Sequence, residues 1–299
     1  MNRNVMPSCD LMHRFLFDQT DIRGEAVTLC DSYQQILDNN QQLPPQVKAL
    51  LGEFVAAVTL LASTLKFDGI LTLQARGDGP LPLIMAECTQ QKAVRAIAQV
   101  DPEVDFSEFE GQNLQTLMGS GMLVIIIDPD KGKRYQGIVP LDGPDLSSCL
   151  QFYFAQSEQL PTRFWFATDD KSVSGLMLQA LPQQIASAED NQDQWQTVVQ
   201  LASTIKDQEL LELEHTEILY RLFHEEQVRM FDAEQVRFEC SCSWQRSASA
   251  LVSLGREEVE SLLAEQDIIH IDCQFCNQAY LFGRADLDNI FGGEQHSIH

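Results

Sequence analysis

The chain has 299 residues, 44% of them apolar, which is enough for about two domains with a substantial hydrophobic core. Its 44 acidic and 20 basic residues give a formal charge of −24, which repels phosphate backbones and anionic lipid. This charge excludes nucleic acid and membrane surfaces as general partners.

The N-terminus lacks the features of a secretion signal. Residues 1–21 contain neither a long uninterrupted apolar run nor a small-residue cleavage site. The longest apolar run in the chain, Val55–Leu65, is shorter than the roughly 18 residues that a membrane span needs. We therefore expect a cytoplasmic protein whose cysteines are kept reduced.

Residues 1–183 are predicted to form one α+β core domain. Short alternating segments bounded by turn residues predict strands at Glu25–Cys30, Ile70–Arg76 and Met122–Ile127, in a mixed or antiparallel sheet built largely from hairpins. Apolar residues at three- and four-residue spacing predict helices at Pro45–Lys66 and Asp145–Gln156. These helices are expected to pack on the sheet.

Residues 184–232 are predicted to form a helical linker. From Gln184 to Glu239 the sequence is strongly acidic and has neither Gly nor Pro, which favours helices over strands or coil. Its apolar side chains fall at helical spacing. We define the linker stripe as Val198, Leu201, Ile205, Leu211, Ile218, Leu222 and Phe223. Because such a stripe must be covered, the segment is either packed permanently on its neighbours or docked conditionally.

Residues 233–299 are predicted to form a small module with one helix, Arg256–Glu265, between two close pairs of cysteines. A zinc ion binds four thiolates in a tetrahedron, so the pattern predicts one Zn²⁺ site in the reduced chain. The predicted ligands are Cys240, Cys242, Cys273 and Cys276.

The spacing of the first pair bears on the role of this site. A Cys-x-x-Cys pair has the usual zinc spacing, whereas a Cys-x-Cys pair is tighter and closes a strained disulfide of the labile, regulatory kind. Zinc also holds sulfur as thiolate, the form that reacts with oxidants. Chemistry alone leaves three uses open: an inert structural zinc, a redox switch and a metal-free dithiol catalyst.

The other cysteines are scattered singly and are predicted to be small buried hydrophobic residues. They are Cys9, Cys30, Cys88 and Cys149. No other catalytic constellation is found, since His224–Val228 lacks the second histidine of a zincin helix and the chain has no P-loop. The sequence therefore does not predict an enzyme.

With these motifs the chain resembles the 33-kDa heat-shock protein family, the redox-regulated holdase chaperones of bacteria. The resemblance covers essentially the whole chain and combines a rare cysteine spacing with separate N-terminal motifs. The motifs are Asp21–Glu25, Leu65–Gly69, Gly77–Pro80, Phe238–Ser243, Leu254-Gly255 and Cys273–Asn277 with Tyr280 and Phe282. Gln245 and Gln274 stand where the family leads us to expect acidic residues, which predicts altered zinc affinity or oxidant sensitivity.

The resemblance implies an ATP-independent chaperone that is inactive when reduced and zinc-bound. It implies that oxidation releases zinc, forms disulfides Cys240–Cys242 and Cys273–Cys276, and allows the protein to hold unfolding clients under oxidative and heat stress. We expect the linker stripe then to become available to clients or to a second copy of the chain, giving a homodimer. The alternatives are a thiol-disulfide oxidoreductase and an interaction protein with structural zinc.

Overall fold

The structure is a computed structural model that describes residues 9–64, 68–109 and 113–291. The chain divides into two compact units, Met1–Glu239 and Cys240–His299. The predicted end of the first long helix at Lys66, and the start of the Leu65–Gly69 motif, lie outside the described residues.

The first unit consists of runs of strands separated by helices. In chain order its elements are β1 (Leu11–Phe17), β2 (Ile22–Leu29), α1 (Asp31–Asn39), α2 (Pro45–Ser63), β3 (Gly69–Gly77), β4 (Leu83–Thr89), β5 (Ala93–Gln99), α3 (Leu114–Met118), β6 (Gly121–Pro129), β7 (Tyr135–Pro140), α4 (Leu146–Tyr153), β8 (Thr162–Thr168), β9 (Val173–Ala180), α5 (Ala188–Ala202), α6 (Asp207–Glu212), α7 (His215–Phe223), β10 (Val228–Met230), β11 (Glu234–Gln235) and β12 (Arg237–Phe238).

Within the described residues these strands form two six-stranded sheets. The first has the order β10-β1-β2-β9-β8, with β11 also paired to β1, and is antiparallel throughout. The second has the order β12-β5-β4-β3-β6-β7, and its one parallel pair joins β12 to β5. The predicted α+β class with a mixed or antiparallel sheet is confirmed.

Helix α2 forms the centre of the main core. Its side chains from Leu50 to Ala62 are almost all buried between residues of both sheets. The helix is long and apolar enough to cross a membrane, but 72% of that stretch is buried inside the protein. Burial within the fold therefore accounts for its apolar character.

A second core lies on the opposite face of the first sheet. Strand residues such as Phe15, Ile22 and Leu176 pack there against side chains of α5, α6 and α7. Because successive strand residues point to opposite faces, β2 contributes Val27 to the main core and Ala26 to the second. The acidic helices thus cover one face of the sheet.

The second unit has its own small core. Its elements are α8 (Trp244–Leu254), α9 (Arg256–Glu265), β13 (Ile268–Asp272), β14 (Ala279–Gly283) and α10 (Arg284–Phe291). The helices pack on the hairpin formed by β13 and β14, with Phe282 fully buried and Trp244 beside it at 5.2 Å between ring centroids.

Two predictions of secondary structure were incomplete. The predicted helix at Arg256–Glu265 is present, but a second helix, α8, precedes it. Gly255, with a positive φ of 93°, ends α8 and separates the two helices. The prediction that Gln184–Glu239 excludes strands was wrong for residues 228–238. Strands β10, β11 and β12 pair there with the free edges of β1 and β5, a long-range contact that outweighs local helical preference.

The prediction for the scattered cysteines was wrong for one pair. Cys88 and Cys149 are buried free thiols, as predicted. Cys9 and Cys30, in contrast, are joined by a disulfide between the start of β1 and the start of α1, and both are partly exposed. Their 21-residue separation gave no local signal of this contact.

Candidate metal centre

The four predicted ligands lie in two loops of the second unit. Cys240 and Cys242 precede α8, whose first turn is capped by the Ser243 side chain. Cys273 and Cys276 lie in the turn between β13 and β14. In that turn the Asn277 amide donates to the Cys273 carbonyl, and the Cys273 amide donates to the Gln278 carbonyl. The hairpin therefore fixes the second pair of cysteines.

The four sulfurs have the separations expected of a zinc site. All lie within 4.8 Å of one another. The shortest separations are 3.6 Å between Cys240 and Cys273 and 3.4 Å between Cys242 and Cys276. A tetrahedron with zinc–sulfur bonds near 2.3 Å has sulfur–sulfur edges of about 3.8 Å. None of the four is in a disulfide, so the donor set fits Zn²⁺ in the reduced chain.

A tyrosine supports one of these sulfurs. The Tyr280 hydroxyl, on β14, donates a hydrogen bond of 3.1 Å to Cys242 Sγ. Burial opposes the charged form of Cys242, but hydrogen bonds from Tyr280 and the neighbouring thiols outweigh it and lower the pKa of Cys242 to about 7. Such a partner stabilises the thiolate that a metal requires.

The position of Tyr280 in the sequence gave only an indirect signal of this contact. It belongs to one of the motifs that carry the family resemblance, but its role as a hydrogen-bond donor depends on the hairpin register, in which Tyr280 lies opposite Ile271. Gln245 and Gln274 are exposed side chains near the cysteine pairs. Arg246 donates to the Ser241 hydroxyl at 2.6 Å, between the first two ligands in sequence.

In the first unit, the structure places every residue of the linker stripe in or against the second core. Val198, Ile218, Leu222 and Phe223 are buried. Leu201, Ile205 and Leu211 are partly buried and pack at its margin. Two residues that the stripe omitted, Leu210 and Leu219, are also buried there. A role of these residues in client binding stays a prediction.

The Asp21–Glu25 motif attaches the start of the linker to the sheet. The buried carboxylate of Asp21 accepts hydrogen bonds from the amides of Gln184, Ile185 and Ala186 and from the Asn191 side chain. Burial opposes ionisation of this group, but these hydrogen bonds prevail and lower the pKa of Asp21 to about 2. Asp21 is thus a fixed anchor for the segment.

Gly24 of the same motif allows close packing of the second core. The ring of Phe15 lies across Gly24, where an added Cβ would overlap it. Phe15 in turn lies 6.4 Å from Phe223 of the linker stripe, between ring centroids. The motif therefore shapes the surface on which the linker helices pack.

A pair of histidines, the buried His215 and the partly buried His13, joins the linker to the sheet, and the sequence gave no sign of it. His13 Nδ1 on β1 lies 2.8 Å from His215 Nδ1 at the start of α7. His215 Nε2 is 3.0 Å from the Thr28 hydroxyl, which is 3.0 Å from the Ser174 hydroxyl. Burial, and then the neighbouring His13, lower the pKa of His215 to about 3. The contact between His13 and His215 therefore requires a neutral imidazole at His215.

Comparison with known proteins agrees with this geometry. The model of the Hsp33 protein family matches residues 10–283. The chain belongs to the Hsp33 family. It is 51% identical over 286 residues to the 33 kDa chaperonin of Ectopseudomonas mendocina, covering 95% of this chain and 96% of that protein. It is 48% identical over 290 residues to the 33 kDa chaperonin of Pseudomonas aeruginosa, covering 96% of each.

A solved structure shares the fold. The crystal structure of the 33 kDa chaperonin, a heat shock protein 33 homologue, from Thermotoga maritima matches with a TM-score of 0.80. The match covers 95% of this chain and 99% of that one, at 21% identity. Membership of the Hsp33 family and the clustering of the four cysteines, which their spacing predicted, are therefore both established for this chain.

Proposed function

We propose that this protein is a redox-regulated, ATP-independent holdase. The observation that carries the proposal is the cluster of four cysteines outside any disulfide, with sulfurs within 4.8 Å of one another, in a chain of the Hsp33 family. When bound, a Zn²⁺ ion would hold Cys240, Cys242, Cys273 and Cys276 as thiolates and crosslink the small second unit. A core of this size gains much of its stability from such a crosslink.

Oxidation removes the ligands. Two molecules of hydrogen peroxide, with four protons from solvent, would convert the four thiolates into two disulfides and four waters. Zn²⁺ would then be released, because a disulfide sulfur does not bind it as a thiolate does. We propose the pairs Cys240–Cys242 and Cys273–Cys276. The shortest sulfur separations in the folded cluster join the two pairs instead, but once the module unfolds the nearest cysteines in sequence close their loops at the lowest entropic cost.

Peptide mapping distinguishes these pairings. Trypsin cleaves after Arg237, Arg246, Arg256 and Arg284, so each proposed disulfide falls within a single peptide. The proposed pairing gives two separate peptides, each about 2 Da lighter than its reduced form. Pairing between the halves gives one crosslinked species, and its dominance would overturn the assignment.

In this proposal, unfolding of the module releases the linker from the first unit. Residues 1–183 form the platform, residues 184–232 the releasable linker and residues 233–299 the switch module. Strands of two or three residues, such as β11 and β12, have few backbone hydrogen bonds and detach readily once the following module unfolds. Release of the linker then makes the stripe and the sheet face beneath it available to unfolded clients, or to a second copy in an oxidised homodimer.

The same reasoning argues against catalysis on the client. Cys273 and Cys276 lie in a hairpin turn and not at the start of a helix in a βαβ unit, which disfavours a thiol-disulfide oxidoreductase. A holdase needs no nucleotide site. We place its action in the cytoplasm, where zinc-bound thiols persist until oxidative stress.

One experiment tests the function. Zinc content, free thiols and suppression of aggregation of a heat-unfolded client are measured on one sample before and after peroxide with mild heat. We expect loss of one zinc per chain, loss of the four thiols of the cluster and a gain of suppression. Cys149→Ser serves as a control because this thiol is buried outside the cluster. Equal suppression before and after oxidation would contradict a redox-regulated holdase and leave the two alternatives, an interaction protein with structural zinc and a thiol-disulfide oxidoreductase.

A further inference from the structure

A second cysteine pair lies in the first unit, outside the metal centre. Cys9 immediately precedes the buried Asp10 at the start of β1, and Cys30 is the residue before α1. Their Cα atoms are 5.4 Å apart and their sulfurs are bonded. Both residues are partly exposed, unlike the buried thiols of Cys88 and Cys149. A small oxidant or reductant can therefore reach this pair.

The surrounding structure holds the two cysteines together without needing the bond. The Asp10 carboxylate accepts hydrogen bonds from the amides of Cys30, Asp31 and Ser32, at 3.0 to 3.2 Å, and from the Ser32 hydroxyl. The β1–β2 ladder also pairs Leu11 with Thr28 next to the cysteines. With the backbones fixed in this way, reduced thiols would remain within bonding distance.

We propose that Cys9 and Cys30 form a second oxidant-responsive site, a reversible dithiol that peroxide converts to a disulfide. One thiolate attacks a peroxide oxygen, giving a sulfenic acid and, with a proton, one water. The other thiol attacks that sulfur, forming the S–S bond and releasing a second water. The balance is two thiols and one hydrogen peroxide to one disulfide and two waters, and a dithiol reductant reverses it.

The disulfide has the opposite effect on stability from oxidation of the metal centre. Crosslinking residues 21 apart in sequence restricts the unfolded chain and so stabilises the first unit, whereas oxidation of the four module cysteines removes the metal crosslink. A peroxide that opens the module would at the same time strengthen the remaining platform. This link to activation rests on the proposed holdase function, but the chemistry of the pair does not.

The pair also lies at the attachment point of the chain that leads to the module. The Asp10 carbonyl accepts a 2.8 Å hydrogen bond from the Val236 amide, and β11 pairs with Leu11 and Met12. Fixing Cys9 to α1 therefore fixes the strand edge on which residues 234–236 lie. The disulfide is expected to slow amide exchange at Val236 as well as at Cys30–Ser32.

The first test detects the bond in full-length protein purified and loaded with zinc under reducing conditions. Trypsin cleaves after Arg3, Arg14, Arg23 and Lys48, which places Cys9 and Cys30 in different peptides. Graded peroxide should produce a crosslinked species of these two peptides, and dithiothreitol should remove it. Recovery of both as free thiols at every dose, or their crosslinking mainly to other cysteines, would overturn the proposal.

The second test measures stability in a full-length background with all four module cysteines changed to serine. There the metal switch is absent, so failure of this proposal is distinguishable from failure of the holdase proposal. Oxidation should raise the Tm of the first unit by about 5 to 10 °C and slow exchange at Val236. Adding Cys9→Ser and Cys30→Ser should abolish both effects, whereas adding Cys149→Ser should preserve them. An unchanged Tm on oxidation, with the bond formed, would refute the stabilising role.

Discussion

At the scale of single residues, the hydrogen bond from Tyr280 to Cys242 is the protein's most direct means of tuning its candidate metal centre. The hydroxyl, together with the three neighbouring thiols, stabilises the Cys242 thiolate against the cost of burial. Gln245 and Gln274 are neutral where acidic side chains were expected, and the Tyr280 hydroxyl is likewise a neutral hydrogen-bond donor. Removal of this hydroxyl should therefore weaken metal binding.

The first prediction is that Tyr280→Phe weakens zinc binding by about tenfold, as loss of an outer hydrogen bond to a metal ligand typically does. Zinc affinity is measured by competition with a chromogenic chelator. Tyr220→Phe is the matched control, since Tyr220 is 72% exposed on α7 and far from the cysteines in sequence. Equal zinc affinity of both variants and wild type would show that the hydroxyl does not support the ligand.

The contact between His13 and His215 predicts sensitivity to acid. One Nδ1 must donate and the other accept, so protonation of both rings places two N–H groups face to face. His215 faces His13 on β1 and Thr28 on β2, and Glu214 is the nearby charge acting on His13. No charged partner among these compensates a proton on the buried ring of His215.

The second prediction follows from the sign of this shift. The pKa of His215 falls from 6.5 to about 3, so its contribution to stability is complete above pH 6.5 and is lost as the pH falls from 6.5 towards 3. Between pH 7.5 and 5.0 this costs about 2 kcal/mol of unfolding free energy. Denaturant titrations of His215→Gln should lack this loss. His224→Gln, at an exposed position after α7, should retain it, and the same pH dependence in both variants would contradict the assignment.

At the scale of elements, α7 couples the linker to the sheet through a buried face and an exposed face. Leu222 is 9% exposed and packs in the second core, whereas Tyr220 on the same helix is 72% exposed. The structure also shifts the expected stripe slightly, since Leu210 is fully buried where the sequence pattern selected Leu211. The buried face is the part of the helix that holds it docked.

The third prediction is that Leu222→Gln loosens the linker and gives chaperone activity in the reduced, zinc-loaded protein. Placing an amide in this core should cost about 2 to 4 kcal/mol of docking. Limited proteolysis within residues 184–232 and suppression of client aggregation are measured together. Tyr220→Gln should stay inactive until oxidised. If Leu222→Gln also stays inactive, with unchanged resistance to proteolysis, the linker is a passive spacer.

At the scale of the whole molecule, the two units differ in what stabilises them. The first unit has two extensive cores around α2 and under the linker helices. The second unit has one small cluster around Leu251, Leu263 and Phe282. A metal bound by four cysteines contributes about 10 to 16 kcal/mol to modules of this kind, more than such a small core supplies.

The fourth prediction is that chelation of zinc from the reduced full-length chain unfolds the second unit and leaves the first folded. Amide exchange is measured segment by segment before and after metal removal. Protection of α8 and β14 should be lost, whereas protection of α2 should remain. Persistent protection of α8 without metal would show that the module folds by its hydrophobic core alone.

The sequence by itself determined the features that depend on neighbours along the chain. The candidate ligand set was predicted from two short cysteine spacings and the chemistry of zinc, and the structure brings its four sulfurs within 4.8 Å of one another. The helix that begins at Pro45 was predicted from apolar residues at helical spacing, although the structure buries it on almost all sides. The α+β class follows from strands and helices recognised in this way.

Only the tertiary structure decided which distant residues meet. The Cys9–Cys30 bond, the contact between His13 and His215 and the donation from Tyr280 to Cys242 join positions whose spacing carries no periodic signal. Residues 228–238 read as helical in isolation and become strands because the edges of β1 and β5 offer unpaired backbone groups. The local sequence pattern indicates which face of a helix or strand a residue lies on. The distant residue that it contacts depends on how the sheets and helices pack together.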